Sequence, residues 1–225
     1  MPNDRPIGDD RHAPGMPSTL VHVAVGGLVA AGILGDAFDR RSLIVVLAFA
    51  AFPDLDTFVG LVVPGAHRSL FHTLLVPAIL GGLLWVDARV EYSTLGETFG
   101  GRGRRVVGVG VLALMFGGIA PDLVTNGVNW LYPILDQFVA VNGHLLLSNQ
   151  RGVVQTFVHL SGPDAGGAVV GTTETLHYST GVDPTPGPER RVVERVFPVV
   201  DSGMQLLLVV LSAFVVGARL RETKR

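Results

Sequence analysis

Three imidazoles and three carboxylates stand out in a chain whose apolar stretches are otherwise nearly free of charge. They are His22, Asp54, Asp56, His67, His72 and Asp122, with Arg68 next to His67. An ionisable side chain near the centre of a bilayer costs ~2.5–3.5 kcal/mol on insertion scales, so each of these placements needs a reason. Imidazole nitrogen and carboxylate oxygen together make a hard-to-borderline donor set. It suits zinc, manganese or another divalent first-row metal, one ion or two. There is no cysteine, which excludes disulfides, zinc-thiolate sites and thiol nucleophiles.

The spacing sets conditions on such a site. On a regular helix Asp54 and Asp56 diverge by about 200°, so they share a centre only if Pro53 breaks the helix. His67 and His72 are five residues apart and converge if His67 still belongs to the loop. Each group also has a plainer reading. His22 could be an interfacial histidine, Asp54 and Asp56 could cap broken helix ends or couple an ion to transport, and Asp122, after Pro121, could be a helix cap. Six such groups gathered on one membrane face favour a single metal site, with His22, Asp54, His67, His72 and Asp122 as the candidate ligands.

The elements that must position them are membrane spans. The chain has 225 residues, 48% of them hydrophobic. The apolar residues collect in five blocks, approximately 16–35, 43–63, 70–86, 106–121 and 203–218. At ~1.5 Å per residue each block reaches roughly 24–32 Å, enough to cross or nearly cross a bilayer. The expected class is therefore an all-α membrane protein of about five transmembrane helices. Ten of the 17 basic residues fall in segments 36–42, 87–105 and 219–225. Five spans place these three segments on one side, and the positive-inside rule makes that side the cytoplasm. The expected location is the plasma membrane, with the N-terminus outside and the C-terminus cytoplasmic. The candidate ligands then gather at the outer face, although arginine counts alone set the orientation. Net charge is −2 and no basic stripe runs along any expected helix, so no nucleic-acid partner is expected.

The expected organisation is a mobile tail over 1–15 carrying His12, spans one to four over 16–133, a small β-rich extracytoplasmic insert over 134–202, and the fifth span with a basic tail over 203–225. Within the insert, Phe138-Val-Ala-Val, Asn142-Gly143 and His144-Leu-Leu-Leu read as a hairpin around a type I′ turn. Further strands are expected over Val153 to Leu160 and Ala168 to Tyr178, with a proline-rich turn region from Val182 to Pro188.

Four segments carry a resemblance to a known family: Thr19-Leu-Val-His22-Val-Ala-Val-Gly26, Pro53-Asp54-Leu55-Asp56, His67-Arg68-Ser69-Leu70-Phe71-His72-Thr73, and Asp122-Leu-Val-Thr125 with Gly127 and Tyr132-Pro133. Over approximately residues 16–133 the chain resembles the YdjM-type family of membrane-bound, predicted metal-dependent hydrolases. One position departs from the family pattern: a histidine four residues before the fourth-span aspartate is replaced by Gly118. A missing ligand would have to come from His144, His159 or His177, with His177 the first candidate. The resemblance implies hydrolysis by a metal-activated water. It implies Asp56 as ligand or general base and Arg68 as the clamp on an anionic substrate such as a phosphate ester. A site at the outer interface points to a membrane lipid headgroup or another envelope molecule. The competing readings are an ion-binding or transport protein using the same cluster, and a non-catalytic envelope protein that binds through its insert. No internal repeat is visible and the polar groups lie toward one end of the spans, which favours the hydrolase over the transporter.

Overall fold

A computed structural model of the chain describes residues 17–90, 93–143, 145–156, 168–185 and 193–223. The tail over 1–15, His144 and His159 lie outside the described residues. The fold is mostly helical. It comprises α1 (Thr19–Ile33), α2 (Arg40–Ala51), α3 (Asp56–Gly60), α4 (Leu75–Asp87), α5 (Thr94–Ala113), α6 (Ala120–Leu123) and α7 (Gly203–Glu222), with a small β region between α6 and α7. A 3₁₀ turn over Phe52–Leu55 links α2 to α3, and a π-helical turn over Leu114–Ile119 links α5 to α6.

Helix α1 lies at the centre, against α2, α7 and the α5 run. Small residues make that approach possible. A Cβ at Gly26 would sit 2.5 Å from the Ala50 methyl, and one at Gly117 would sit 3.0 Å from the Gly26 nitrogen. Ser212 of α7 donates to the Ala24 carbonyl of α1 at 2.7 Å, an interhelical hydrogen bond of the kind that joins helices in lipid. Ala30, Leu34, Phe38, Val46, Ala50, Val109 and Ala113 form the packed core below. Polar caps fix the helix starts: Asp39 accepts from the Ser42 amide, Ser93 from Gly96 and Ser202 from Gln205.

Among the described residues, three helical runs are long and apolar enough to cross a membrane: Arg40–Gly60, Thr94–Leu123 and Gly203–Glu222. Their outer surfaces are apolar, as at Leu207 (58% exposed) and Phe214 (73% exposed) on α7. Three of the five expected spans are thus long enough as single helices. The other two apolar blocks form shorter helices of 15 and 13 residues, roughly 20–22 Å at the α-helical rise. The reason is local. Residues 70–74, apolar in composition, are turn and bend that carry His72 rather than the start of α4. At the other end of α1, Gly35 takes a left-handed φ of +54° and closes the helix.

The β region departs from the expected hairpin. Phe138–Ala140 (β2) pairs with Val128–Asn129 (β1) and Ala168–Gly171 (β5) in a three-stranded antiparallel sheet of order β1-β2-β5. Leu145–Ser148 (β3) instead pairs with Gly152–Gln155 (β4), turning through 149–151 rather than at Asn142-Gly143. Burial explains the choice, because Phe138 is fully buried on β1 and β5 while Leu147 of β3 is 86% exposed. The strand expected from Val153 is described only as far as Gln155, and 157–160 lie outside the described residues. The strand expected over Ala168 to Tyr178 ends at Gly171 and continues as a turn. Within the proline-rich stretch, 182–185 are bend and coil and 186–188 lie outside the described residues.

Candidate metal centre

Four chain segments meet at one end of α1. The loop 61–74 is anchored to β1 through backbone bonds: Asn129 N donates to the Arg68 carbonyl at 2.8 Å and Leu74 N to that of Trp130 at 2.8 Å. Gly65, at φ +74°, lies so close to the insert that a Cβ would come within 2.4 Å of the Thr173 carbonyl oxygen. Arg68 is the one described non-glycine residue with a positive φ, +61°. A non-glycine residue held there carries strain that clusters at functional sites.

The carboxylates and imidazoles interlock. His22, on the first turns of α1, is completely buried. Its Nδ1 faces Asp54 Oδ2 at 3.3 Å and its Nε2 faces Asp122 Oδ2 at 3.4 Å. Thr19, one turn earlier, donates to Asp54 Oδ2 at 2.5 Å. His72 is buried between Asp54 of the 3₁₀ turn and Asp56 at the start of α3. Its Nδ1 donates to Asp56 Oδ2 at 2.9 Å, and its Nε2 points to Asp122 Oδ2 at 2.9 Å and Asp54 Oδ1 at 3.7 Å. Asp54 and Asp56 therefore flank one imidazole from its two sides, a consequence of the turn after Pro53, and do not point at a common atom. His67 Nδ1 donates to Asp56 Oδ1 at 2.9 Å, and the Phe71 amide adds a third bond to Asp56 at 3.3 Å. Arg68 Nη2 lies 2.5 Å from Asp122 Oδ1.

His22, Asp54 and Asp122 form a group that could hold a metal ion, with one ligand atom from each lying within 4.8 Å of the others. His72 Nε2 faces the same carboxylate oxygens. Asp56, His67 and Arg68 surround this group rather than belong to it. The donor set fits a divalent cation on two counts. Both ring nitrogens of His22 are buried with no hydrogen-bond partner, a costly state unless something binds there, and Nε2 of His72 is buried against Asp122 Oδ2 at 2.9 Å. With the imidazoles neutral, as ligation requires, three carboxylates, Asp56 and Asp122 buried and Asp54 partly exposed, face one guanidinium, which leaves two negative charges. A lone pair on His72 Nε2 aimed at carboxylate oxygens is repulsive until a proton or a metal ion lies between them.

Opposite this end the chain is basic. Arg105 donates to the Ile33 carbonyl and Arg219 to that of Gly35, while Arg102 pairs with Asp39 and Arg104 with Asp87. From His22 to Ile33 is 11 residues of helix, roughly 17 Å. The ligand cluster and the arginines thus occupy opposite ends of the bundle.

The sequence model of the YdjM inner membrane protein family matches residues 16–215. The chain belongs to this family. The match runs from the start of α1 through the insert and into α7, well past the motifs that end at Pro133. Membership in this inner membrane family and the three long apolar helices make the chain a membrane protein. No curated protein and no solved structure matches the chain.

Against the YdjM pattern, Gly118 is a packing position in this chain. A Cβ there would lie 2.7 Å from both the Ala50 carbonyl oxygen and Pro53 Cγ, so the π turn and the kink after α2 press together where a histidine would otherwise project. His177 is not part of the His22, Asp54 and Asp122 group, and its Nδ1 lies 4.0 Å from Asp183. Two participants carried no signal in the sequence. Thr19 bonds Asp54, and Tyr178 lies under Arg68, with the guanidinium carbon 4.5 Å from the ring centroid. The Tyr178 hydroxyl donates to the Asn126 carbonyl at 2.6 Å. Burial pushes that phenol up from its ordinary value, against the pull of Arg68, which keeps it a neutral donor.

Proposed function

We propose that this YdjM family member is a membrane-embedded, divalent-metal-dependent hydrolase acting on phosphate esters, lipid headgroups among them, at the extracytoplasmic face. His22, Asp54, Asp122 and His72 hold the ion, zinc or manganese by donor type. When bound, the ion supplies Lewis acidity that polarises a phosphoryl group and makes water nucleophilic near neutral pH. The observation that carries the reading is His72, whose Nδ1–H is spent on Asp56 and whose buried Nε2 faces Asp122 Oδ2 at 2.9 Å and Asp54 Oδ1 at 3.7 Å. Carboxylates that orient histidine ligands in this way are a general feature of metal sites.

The chain's own residues divide the remaining work. Asp56, considered from sequence as ligand or base, has its oxygens occupied by His67, His72 and the Phe71 amide, so its role is to fix two imidazoles. With Nδ1–H held by Asp56, His67 keeps Nε2 as its basic nitrogen, and the side chain lines the cavity above the centre. It exchanges protons with attacking water or leaving group, a role in place of the ligand role expected for it. Arg68 binds the substrate phosphate through Nε and Nη1, both buried without a hydrogen-bond partner. The orientation follows from the arginine-rich end, which the positive-inside rule puts in the cytoplasm. The two short helices complete a five-span arrangement with flanking turns.

The test is turnover of p-nitrophenyl phosphate and bis(p-nitrophenyl) phosphate by the detergent-purified chain. Activity is expected to be lost on chelation, restored by zinc or manganese, and reduced about 10²–10⁴-fold in His67→Ala. Turnover indifferent to chelator contradicts the reading. Retained metal with no turnover of either ester favours an ion-binding role for the same cluster.

A further inference from the structure

Above the centre lies a cavity of about 350 Å³ with a polar floor and apolar walls. Asp54, His67, Arg68 and Asp122 form the floor, while Ala51, Leu55, Phe58, Val182 and Phe197 form most of the wall. That volume is near the lower end of the about 300–1,000 Å³ usual for small-molecule sites. It takes a headgroup and the first part of a chain, so the remainder of a longer ligand must lie outside.

The wall does not end at the cavity mouth. Leu55 and Phe58 are 47% and 56% exposed, and both belong to the membrane-crossing run Arg40–Gly60. On the other side, Phe197 is 65% exposed and leads into α7, itself long and apolar enough to cross. The insert closes the top. Thr180 and Thr57 share a hydrogen bond at 2.9 Å, Arg195 donates to the carbonyls of Gly181 and Val182, and the Phe197 ring packs so close that a Cβ on Gly181 would meet it at 2.5 Å. A ligand roofed in this way enters from the side, across apolar surface continuous with the spans.

We infer that the natural substrate is a phospholipid with an anionic phosphate headgroup, which enters laterally from the bilayer. Its phosphate seats on Arg68 and its acyl chain lies between Leu55 and Phe58 on one side and Val182 and Phe197 on the other. This rests on the hydrolase reading for what happens to the headgroup, and on the cavity alone for how the lipid binds. Arg68 is 2% exposed, lines the cavity and has two nitrogens without hydrogen-bond partners, which selects for an anion. The apolar wall selects for a hydrocarbon chain, which a soluble phosphate monoester lacks.

The experiment uses the full chain in phosphatidylcholine vesicles with a trace of phosphatidic acid carrying a photoactivatable diazirine on its acyl chain. Crosslinked peptides are mapped by mass spectrometry. Labelling is expected to concentrate on residues 51–58 and 180–198. Unlabelled phosphatidic acid should compete at least tenfold better than diacylglycerol, and glycerol 3-phosphate should not compete. Ala51→Phe, which fills the slot, should cut labelling several-fold, and Phe214→Ala, on the exposed face of α7 outside the cavity lining, should not. Label spread evenly over all apolar helices, or competition by glycerol 3-phosphate equal to that by phosphatidic acid, overturns the inference. His67→Ala separates the two claims, because labelling should persist in it while turnover is lost. A wild-type protein that is labelled at the slot but hydrolyses nothing sinks the hydrolase reading and leaves the lipid site standing.

Discussion

Asp56 accepts the Nδ1–H of His72 at 2.9 Å and thereby turns Nε2 of the same ring toward Asp54 and Asp122. One buried carboxylate thus determines which nitrogen of a histidine faces the candidate metal centre. It holds His67 in the same way, so two imidazoles depend on it. Asp56→Asn should leave the fold in place, because an amide fills the same volume. It should lower metal affinity about 10–100-fold, the usual cost of losing an orienting partner. Titration of the purified protein with zinc, alongside a thermal melt, checks both halves of that expectation.

Gly118 supplies a test of a different kind. If it were only a lost ligand, Gly118→His would restore one. The Ala50 carbonyl and Pro53 ring stand 2.7 Å from where the Cβ would be. Overpacking at such a contact costs about 1–3 kcal/mol. The variant should melt several degrees lower in detergent and bind no additional metal, whereas unchanged melting with tighter binding would mean the position is roomier than it looks.

The insert is pinned by Asp136, which accepts from the Thr173 hydroxyl and amide and from Asn129 Nδ2. Partial burial raises this carboxyl, but the Thr173 and Asn129 hydrogen bonds outweigh it and hold the group below the ordinary aspartate value. A folded-state pKa below the unfolded one gives stability that is fully present above the unfolded value, about 3.9, and lost as pH falls through the folded one. Asp136→Ala should loosen β1, β2 and β5 by about 1–3 kcal/mol and should flatten the acid end of the stability profile. Hydrogen exchange of the β2 amides between pH 3 and 7 reads this directly.

Arg68 is the partner of Asp122 and, in the proposed hydrolase, the phosphate clamp. Arg68→Lys keeps the charge but loses the planar fork and the stacking on Tyr178. The account expects KM for a phosphate ester to rise about tenfold or more with a smaller change in kcat. A fall in kcat alone would place Arg68 outside substrate binding.

Much of the site was legible in the chain because its cost is legible: His22, Asp54, His72 and Asp122 are conspicuous against apolar neighbours, and arginine counts put them at one end. What could not be read was the use of each group. Asp54 and Asp56 differ by two residues, yet one faces the centre and the other backs His72 and His67, a division set by the 3₁₀ turn over Phe52–Leu55. Thr19 and Tyr178 enter only through tertiary contact, from 35 residues before Asp54 and from beyond the sheet respectively. The third apolar block, expected over 70–86, forms a helix only from Leu75 for a related reason. Composition cannot distinguish the apolar turn at 70–74 from a helix start, because both are short of charge. Asn142-Gly143 is a strong local hairpin signal, but Phe138 gains more by burial between β1 and β5 than by pairing with an exposed Leu145–Ser148 strand.

The central claim is that His22, Asp54, Asp122 and His72 hold one divalent cation. Elemental analysis of the detergent-purified wild type against His72→Ala and Asp54→Ala tests it most directly. About one equivalent of zinc or manganese in the wild type, and a loss of most of it in both variants with the helical circular dichroism intact, is the predicted result. The same metal content in all three proteins would contradict it.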